Sequence, residues 1–189
     1  MASNSLPLSL GLAQTSTSPP TVNITVTNNS PTETYTMLKW SSPLDPLALH
    51  LGLISVTIPS DSSPSTPFEV PRIMLKRAMP PPDDAFVTLA PGESASQDIV
   101  FRDPVVDMDN LVSAATDASS SGASVVDVQI ICGNFDEDEE EDRGGATVWV
   151  GKKREDLTEE EVSSLGRGGG DGVVRWRVKS EVLKLEIGS

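Results

Sequence analysis

The sequence predicts an all-β chain on three observations. Fourteen glycines and 15 prolines, with many serines, punctuate the 189 residues densely. The segments between them are short and rich in Val, Ile and Thr, residue types that fit a pleated, half-buried surface better than a helix. Several of these segments alternate apolar and polar side chains with a period of two, which places every second side chain on one face of a strand.

Leu6, Leu8, Leu10 and Leu12 alternate with small or polar residues, as in a strand with one buried face. Val22, Ile24 and Val26 repeat the pattern with Thr21, Asn23, Thr25 and Thr27 opposite, before Asn28, Asn29, Ser30 and Pro31 turn the chain. Residues 35–40 and 50–58 are the next strands, separated by a turn bearing Pro43 and Pro46. Residues 68–77 read as an interrupted strand, because Pro71 has no ladder donor and belongs on an edge or at a bulge. Residues 78–84, with Pro80, Pro81 and Pro82, form a stiff loop.

Residues 86–89 end at the turn carrying Pro91 and Gly92, and 95–101 resume extended structure with Ile99 and Phe101 on one face. Asp109 and Asn110 are good helix caps and predict a short helical turn. Residues 125–131 are the buried strand of the second half, closed by Cys132. From 133 to 172 the composition turns acidic and glycine-rich, with seven consecutive carboxylates at 136–142, and reads as a partly disordered connection inserted within a single domain spanning 1–189. Within it, 147–150 has strand character. Thr158 followed by Glu161 fits a capping box opening a short helix that ends at Gly166. Residues 173–178 and 182–187 supply the last strands.

Fourteen Lys and Arg against 28 Asp and Glu give a net charge of -14, so nucleic acid and anionic membrane are repelled and a protein partner is expected. One cysteine and one histidine, Cys132 and His50, supply neither a disulfide nor the usual zinc ligand sets, and no cofactor or metal is expected. No apolar run reaches the roughly 18–20 residues of a membrane span. The first eight residues lack a basic region and an unbroken apolar stretch, so no secretory signal is visible. A cytoplasmic location is expected if Met1 is the native start, and a secreted one if a leader has been removed.

Three ordered blocks carry a family resemblance: residues 38–45 (Leu-Lys-Trp-Ser-Ser-Pro-Leu-Asp), 74–81 (Met-Leu-Lys-Arg-Ala-Met-Pro-Pro) and 87–94 (Val-Thr-Leu-Ala-Pro-Gly-Glu-Ser). Together with the closing strands, they resemble the N-terminal prodomain of fungal deuterolysin-type and peptidyl-lysine metalloendopeptidases. The likeness covers roughly residues 20–131 and the last 15 or so, and leaves the acidic stretch unmatched. It implies an immunoglobulin-like antiparallel β-sandwich that helps a zinc peptidase fold or holds it inactive. The peptidase motif itself, His-Glu-x-x-His, is absent from this chain. Where the family would place a glycine-containing turn before the Lys76-Arg77 pair, this sequence has Pro71, Arg72 and Ile73.

Single residues read mostly as structural. Trp40 is expected in the core, Cys132 as an inert buried thiol, and Lys76-Arg77 as a solvated strand end rather than a cleavage or docking point. The acidic run lacks the Asp-x-Asp-x-Asp-Gly spacing of a calcium loop and reads as a solvated segment able to steer a basic partner. Asn23-Ile24-Thr25 and Asn28-Asn29-Ser30 match glycosylation acceptors, which matter only on the secretory route. Immunoglobulin-like strand order would gather the loop at 29–33, the loop at 78–84 and the 133–172 connection at one end of the sandwich. On that arrangement the protein-binding residues are Ser30, Pro31, Thr32, Arg77, Met79, Pro80, Gly166, Arg167 and Gly168. The last three are similar to a loop motif of the small chagasin-like β-sandwich inhibitors of cysteine peptidases.

The expected function is therefore a non-catalytic protein-binding module, a peptidase inhibitor or prodomain-like chaperone acting through clustered loops. The alternative is a cytosolic scaffold that uses the acidic stretch to bind a basic partner. No nucleophile and base with recognisable spacing points to an enzyme.

Overall fold

A computed structural model of the chain describes residues 6–60, 64–119, 124–133, 145–163 and 172–188. The alternating leucines and the Val22, Ile24, Val26 series become β1 (Leu8–Thr17) and β2 (Pro20–Asn28), paired antiparallel with Leu10 opposite Val26. β3 (Tyr35–Leu38), β4 (Ile54–Ile58) and β5 (Thr66–Phe68) follow, then β6 (Phe86–Leu89) and β7 (Ser94–Val100). Helix α1 (Met108–Ala118) leads to β8 (Val125–Cys132) and β9 (Ala146–Val150). A short helix α2 (Glu159–Ser163) precedes β10 (Val173–Trp176), β11 (Val178–Lys179) and β12 (Leu183–Glu186).

The strands form three antiparallel sheets. The first has the order β1-β2-β7, the second β10-β9-β3-β6, and in the third β8 pairs with β4, β11 and β12 while β5 forms the edge beyond β4. The inner side chains of the first sheet pack on both others. Val22, Ile24 and Ile99 meet Val56, Val126, Val128, Ile130 and Leu185 of the third sheet, while Leu8 and Val26 meet Tyr35, Met37, Val148 and Trp176 of the second. The molecule is thus a β-sandwich with one layer divided between two sheets, as the all-β prediction required. Gln14 stitches its edge: the side-chain amide donates to the Glu186 carbonyl at 2.7 Å and accepts from the Glu186 N–H at 3.0 Å.

Several elements differ from the sequence reading; the strand expected at 173–178, for one, divides into β10, paired with β9, and β11, paired with β8. β4 starts at Ile54 rather than at residue 50, because the Leu53 N–H bonds back to the Ala48 carbonyl at 3.0 Å and Gly52 turns with φ of 72°. The strand expected at 68–77 stops at Phe68, where Pro71 leaves the ladder without a donor and the chain runs on irregularly. The helical turn is an 11-residue helix, and its cap is Asp107, whose carboxylate accepts from the Asn110 N–H at 3.1 Å; Leu111 and Ala115 plug the open end of the main core. The strand expected at 147–150 is present: β9 lies beside β3 and Trp149 is fully buried.

Both faces of the second sheet are covered. Tyr35, Met37 and Val148 face the sandwich interior, while Leu38, Phe86 and Trp149 face outward beneath Leu157 and Val162. The capping box at Thr158 is present: its hydroxyl accepts from the Glu161 N–H at 3.2 Å, and the Glu161 carboxylate accepts from the Thr158 N–H at 2.9 Å. Lys152 also reaches Glu161, and that bond, with the Thr158 N–H, holds the carboxyl below its ordinary value. A depressed carboxyl stabilises the fold above its unfolded pKa and loses that contribution as pH falls through the folded value. Acid titration of unfolding is therefore expected to show Glu161→Gln less stable than wild type at pH 7, with the gap closing below about pH 4.

Candidate protein-binding face

The site is built on the turn that joins β3 to β4. Asp45, fully buried, accepts from the Ser41 N–H at 2.7 Å, from the Leu47 N–H at 2.9 Å and from Arg77 Nη2 at 2.6 Å. Gln97 of β7 donates to the Pro43 and Asp45 carbonyls at 2.7 and 2.9 Å, which fixes the turn to the first sheet. The Arg77 guanidinium also lies 5.0 Å from the centre of the Trp40 ring. Arg77 is thus not a solvated strand end but the anchor of a strap that leaves β5 at Phe68 and returns to β6. Trp40 is half-buried beneath that strap rather than in the core.

A second anchor holds the strap four residues earlier, where the Ile73 N–H donates to the His50 carbonyl at 3.0 Å. Between and beside the anchors the apolar side chains point outward. Among the described residues, five large hydrophobic side chains are exposed, and Ile73, Met74, Leu75 and Met79 of the strap are four of them, with Met74 at 103%. These four exposed apolar side chains lie within seven residues of one another in the chain.

Beside the strap a cleft of about 870 Å³ is lined by Leu53, Ile54 and Ser55, by Glu69, Val70 and Arg72, and by Arg175. A smaller cleft of about 250 Å³ shares Ser41, Gly145 and Arg175 with it and extends to Trp40, Leu75 and Arg77. Gly52 makes room for Arg72, since a Cβ there would stand 2.7 Å from Nε, and its φ of 72° suits glycine alone without cost. Gly52→Ala is expected to lower unfolding stability by about 1–2 kcal/mol and to displace Arg72, a change that urea melts and the chemical shift of the Arg72 Nε resonance would register.

The sequence-predicted binding residues do not form one cluster. β3 pairs antiparallel with β6, Tyr35 opposite Leu89 and Leu38 opposite Phe86, so the 29–33 loop before β3 and the 78–84 loop before β6 lie at opposite ends of the pair. Ser30 is buried, its hydroxyl accepting from the Thr32 and Glu33 N–H groups at 3.3 and 2.9 Å, and it presents nothing to a partner. Pro31 and Thr32 are exposed at that end, whereas Arg77, Met79 and Pro80 stand together at the other. Gly166, Arg167 and Gly168 lie outside the described residues, as do the helix end expected at Gly166 and the carboxylate run at 136–142.

The two glycosylation motifs also separate. Asn28 is buried with its amide donating to the Glu33 and Leu89 carbonyls at 2.8 and 3.0 Å, so a glycan there is incompatible with the fold. Asn23 sits half-exposed on the outer face of β2. Mass spectrometry of a chain passed through a secretory host is expected to find glycan on Asn23 only, and occupancy of Asn28 in folded protein would contradict this geometry.

Cys132 is buried, its thiol donating to the Ser41 carbonyl at 3.4 Å, and burial pushes its pKa up to about 11. It is a thiol at neutral pH, as expected of a structural cysteine. Among the described residues no group of three His, Cys, Asp or Glu side chains could hold a metal ion, and no helix is long and apolar enough to cross a membrane.

The sequence reads Ile73, Met74 and Leu75 as strand, and the signal against it is Pro71, which ends pairing before the apolar run turns outward. No curated protein matches the chain. A family model of the immunoglobulin-like domain matches residues 7–123, more than half of the 189, and this span includes β1 to β7 and the strap. With its antiparallel sandwich and its family match in agreement, the chain belongs to the immunoglobulin-like domain family.

Proposed function

We propose that this immunoglobulin-like domain is a non-catalytic protein-binding module, and that the partner is a peptidase which it inhibits or chaperones through the strap at 69–82. The observation that carries this reading is the exposure of Ile73, Met74, Leu75 and Met79 along a strap held at Ile73 and Arg77. Peptidase clefts take polypeptide in extended form, and a strap already fixed at Ile73 and Arg77 loses little conformational entropy on entering one. The resemblance of residues 38–45, 74–81 and 87–94 to a peptidase prodomain favours the same partner class, and two of those blocks form the strap and the turn that anchors it.

The test is the rate of a panel of metallo- and cysteine peptidases with micromolar protein added. At least one enzyme is expected to slow, and Met74→Asp, which changes only a fully exposed side chain, is expected to restore its rate. No effect on any enzyme, or equal inhibition by the variant, would remove the reading.

A further inference from the structure

The cleft beside the strap is an interrupted sheet. β5 pairs with β4 only from Val56 opposite Phe68 to Ile58 opposite Thr66. The same register would bring Val70 opposite Ile54, but no pairing is formed there. On the other side, the Ile131 N–H donates to the Leu53 carbonyl at 2.9 Å, so the Leu53 carbonyl faces β8, while its N–H is held by the Ala48 carbonyl. By the alternation of an antiparallel ladder, Ile54 turns its own N–H and C=O away from β8, towards the cleft. A strand edge left open inside a concavity is a template for another extended chain.

Charge selects what that chain carries. In a protein of net charge -14, both Arg72 and Arg175 line the cleft, with Glu69 the one acidic side chain among its lining residues. Neither arginine makes an ion pair among the described residues; Arg175 is oriented by a hydrogen bond to the Thr147 hydroxyl. Among the described residues the two guanidiniums have no carboxylate partner.

Resting on the binding-module reading, we infer that the cleft takes an extended, carboxylate-bearing segment of the partner protein. Its backbone pairs with the free edge of β4 at Ile54, and its acidic side chains meet Arg72 and Arg175. A segment of alternating apolar and acidic residues fits best, because alternate side chains of an added strand point to opposite faces.

The probe is a fluorescein-labelled octapeptide of alternating valine and glutamate, titrated by anisotropy against the full chain, with a valine–lysine peptide as its counterpart. The acidic peptide is expected to bind at least tenfold tighter than the basic one, to weaken as salt rises, and to lose about tenfold with either Arg72→Glu or Arg175→Glu. The double variant R72E/R175E is expected to reverse the preference towards the lysine peptide, a result that misfolding cannot produce. A parallel chain with residues 136–142 changed to serine covers competition by the protein's own carboxylates; binding that appears only in that chain also supports the cleft's specificity. Binding by neither chain, equal binding of the two peptides, or indifference to both arginines would overturn the inference. Because Met74→Asp in the peptidase assay reads the module's function independently, inhibition without peptide binding would sink this inference alone.

Discussion

Asp45→Ala is expected to cost about 3 kcal/mol of unfolding free energy, the lower end of the range for removing one partner of a buried ion pair. Asp45 is fully buried and accepts three hydrogen bonds, two from backbone N–H groups of its own turn and one from Arg77. Without the carboxylate, the Ser41 and Leu47 N–H groups lose their acceptor, at about 1–3 kcal/mol for each left unsatisfied. Arg77 offsets part of this, since its side chain is 21% exposed and can turn to water. Asp45→Asn, which retains an acceptor oxygen but not the charge, is expected to lose roughly half as much. Urea melts check both values. The functional readout separates anchoring from stability: at a temperature where each variant remains folded, Asp45→Ala is expected to lose peptidase inhibition along with Met74→Asp, because the strap has lost its hold at Arg77. Inhibition unchanged in a folded Asp45→Ala chain would show that the anchor does not matter.

Trp149→Ala is expected to be more damaging still, at about 3–5 kcal/mol. The side chain is fully buried on the outer face of the second sheet, 5.8 Å from the Phe86 ring centre, under Leu157 and Val162. Truncation leaves a cavity that the β-sheet beneath cannot collapse to fill. Trp149→Phe is expected to cost clearly less, because Nε1 is buried without a partner among the described residues and its removal orphans no acceptor. Thermal unfolding of the two variants beside wild type distinguishes packing from polar contributions. Equal losses for Phe and Ala would mean that the indole ring does something other than fill space.

How far the sequence could be read depended on whether a strand had one buried face or two. β2 and β8 show their inward sides through strict alternation, and β6 was legible to the residue between its Pro82-bearing loop and the Pro91-Gly92 turn. β9 was partly hidden: Ala146, Thr147, Val148 and Trp149 are all buried because the segment after β9 folds back over the outer face, and such packing leaves no period. The sequence does not single out Asp107 as the cap of α1, because Asp109 and Asn110, equally good capping types, follow within three residues. Ile73, Met74 and Leu75 have the composition of a buried strand, and only Pro71 and the failure of the β4–β5 ladder turn them to solvent. The expected single loop cluster failed on register, which antiparallel pairing of β3 with β6 decides and which composition does not encode.

We propose that one face of the sandwich, the strap and the open edge of β4, does the protein's work by contact. Amide hydrogen exchange of the intact chain with and without the acidic octapeptide tests it most directly. The amide of Ile54 and those of residues 69–79 are expected to slow on addition of the peptide, while Thr25 at the centre of the opposite sheet keeps its rate. Protection confined to the first sheet, or none anywhere at saturating peptide, would contradict the account.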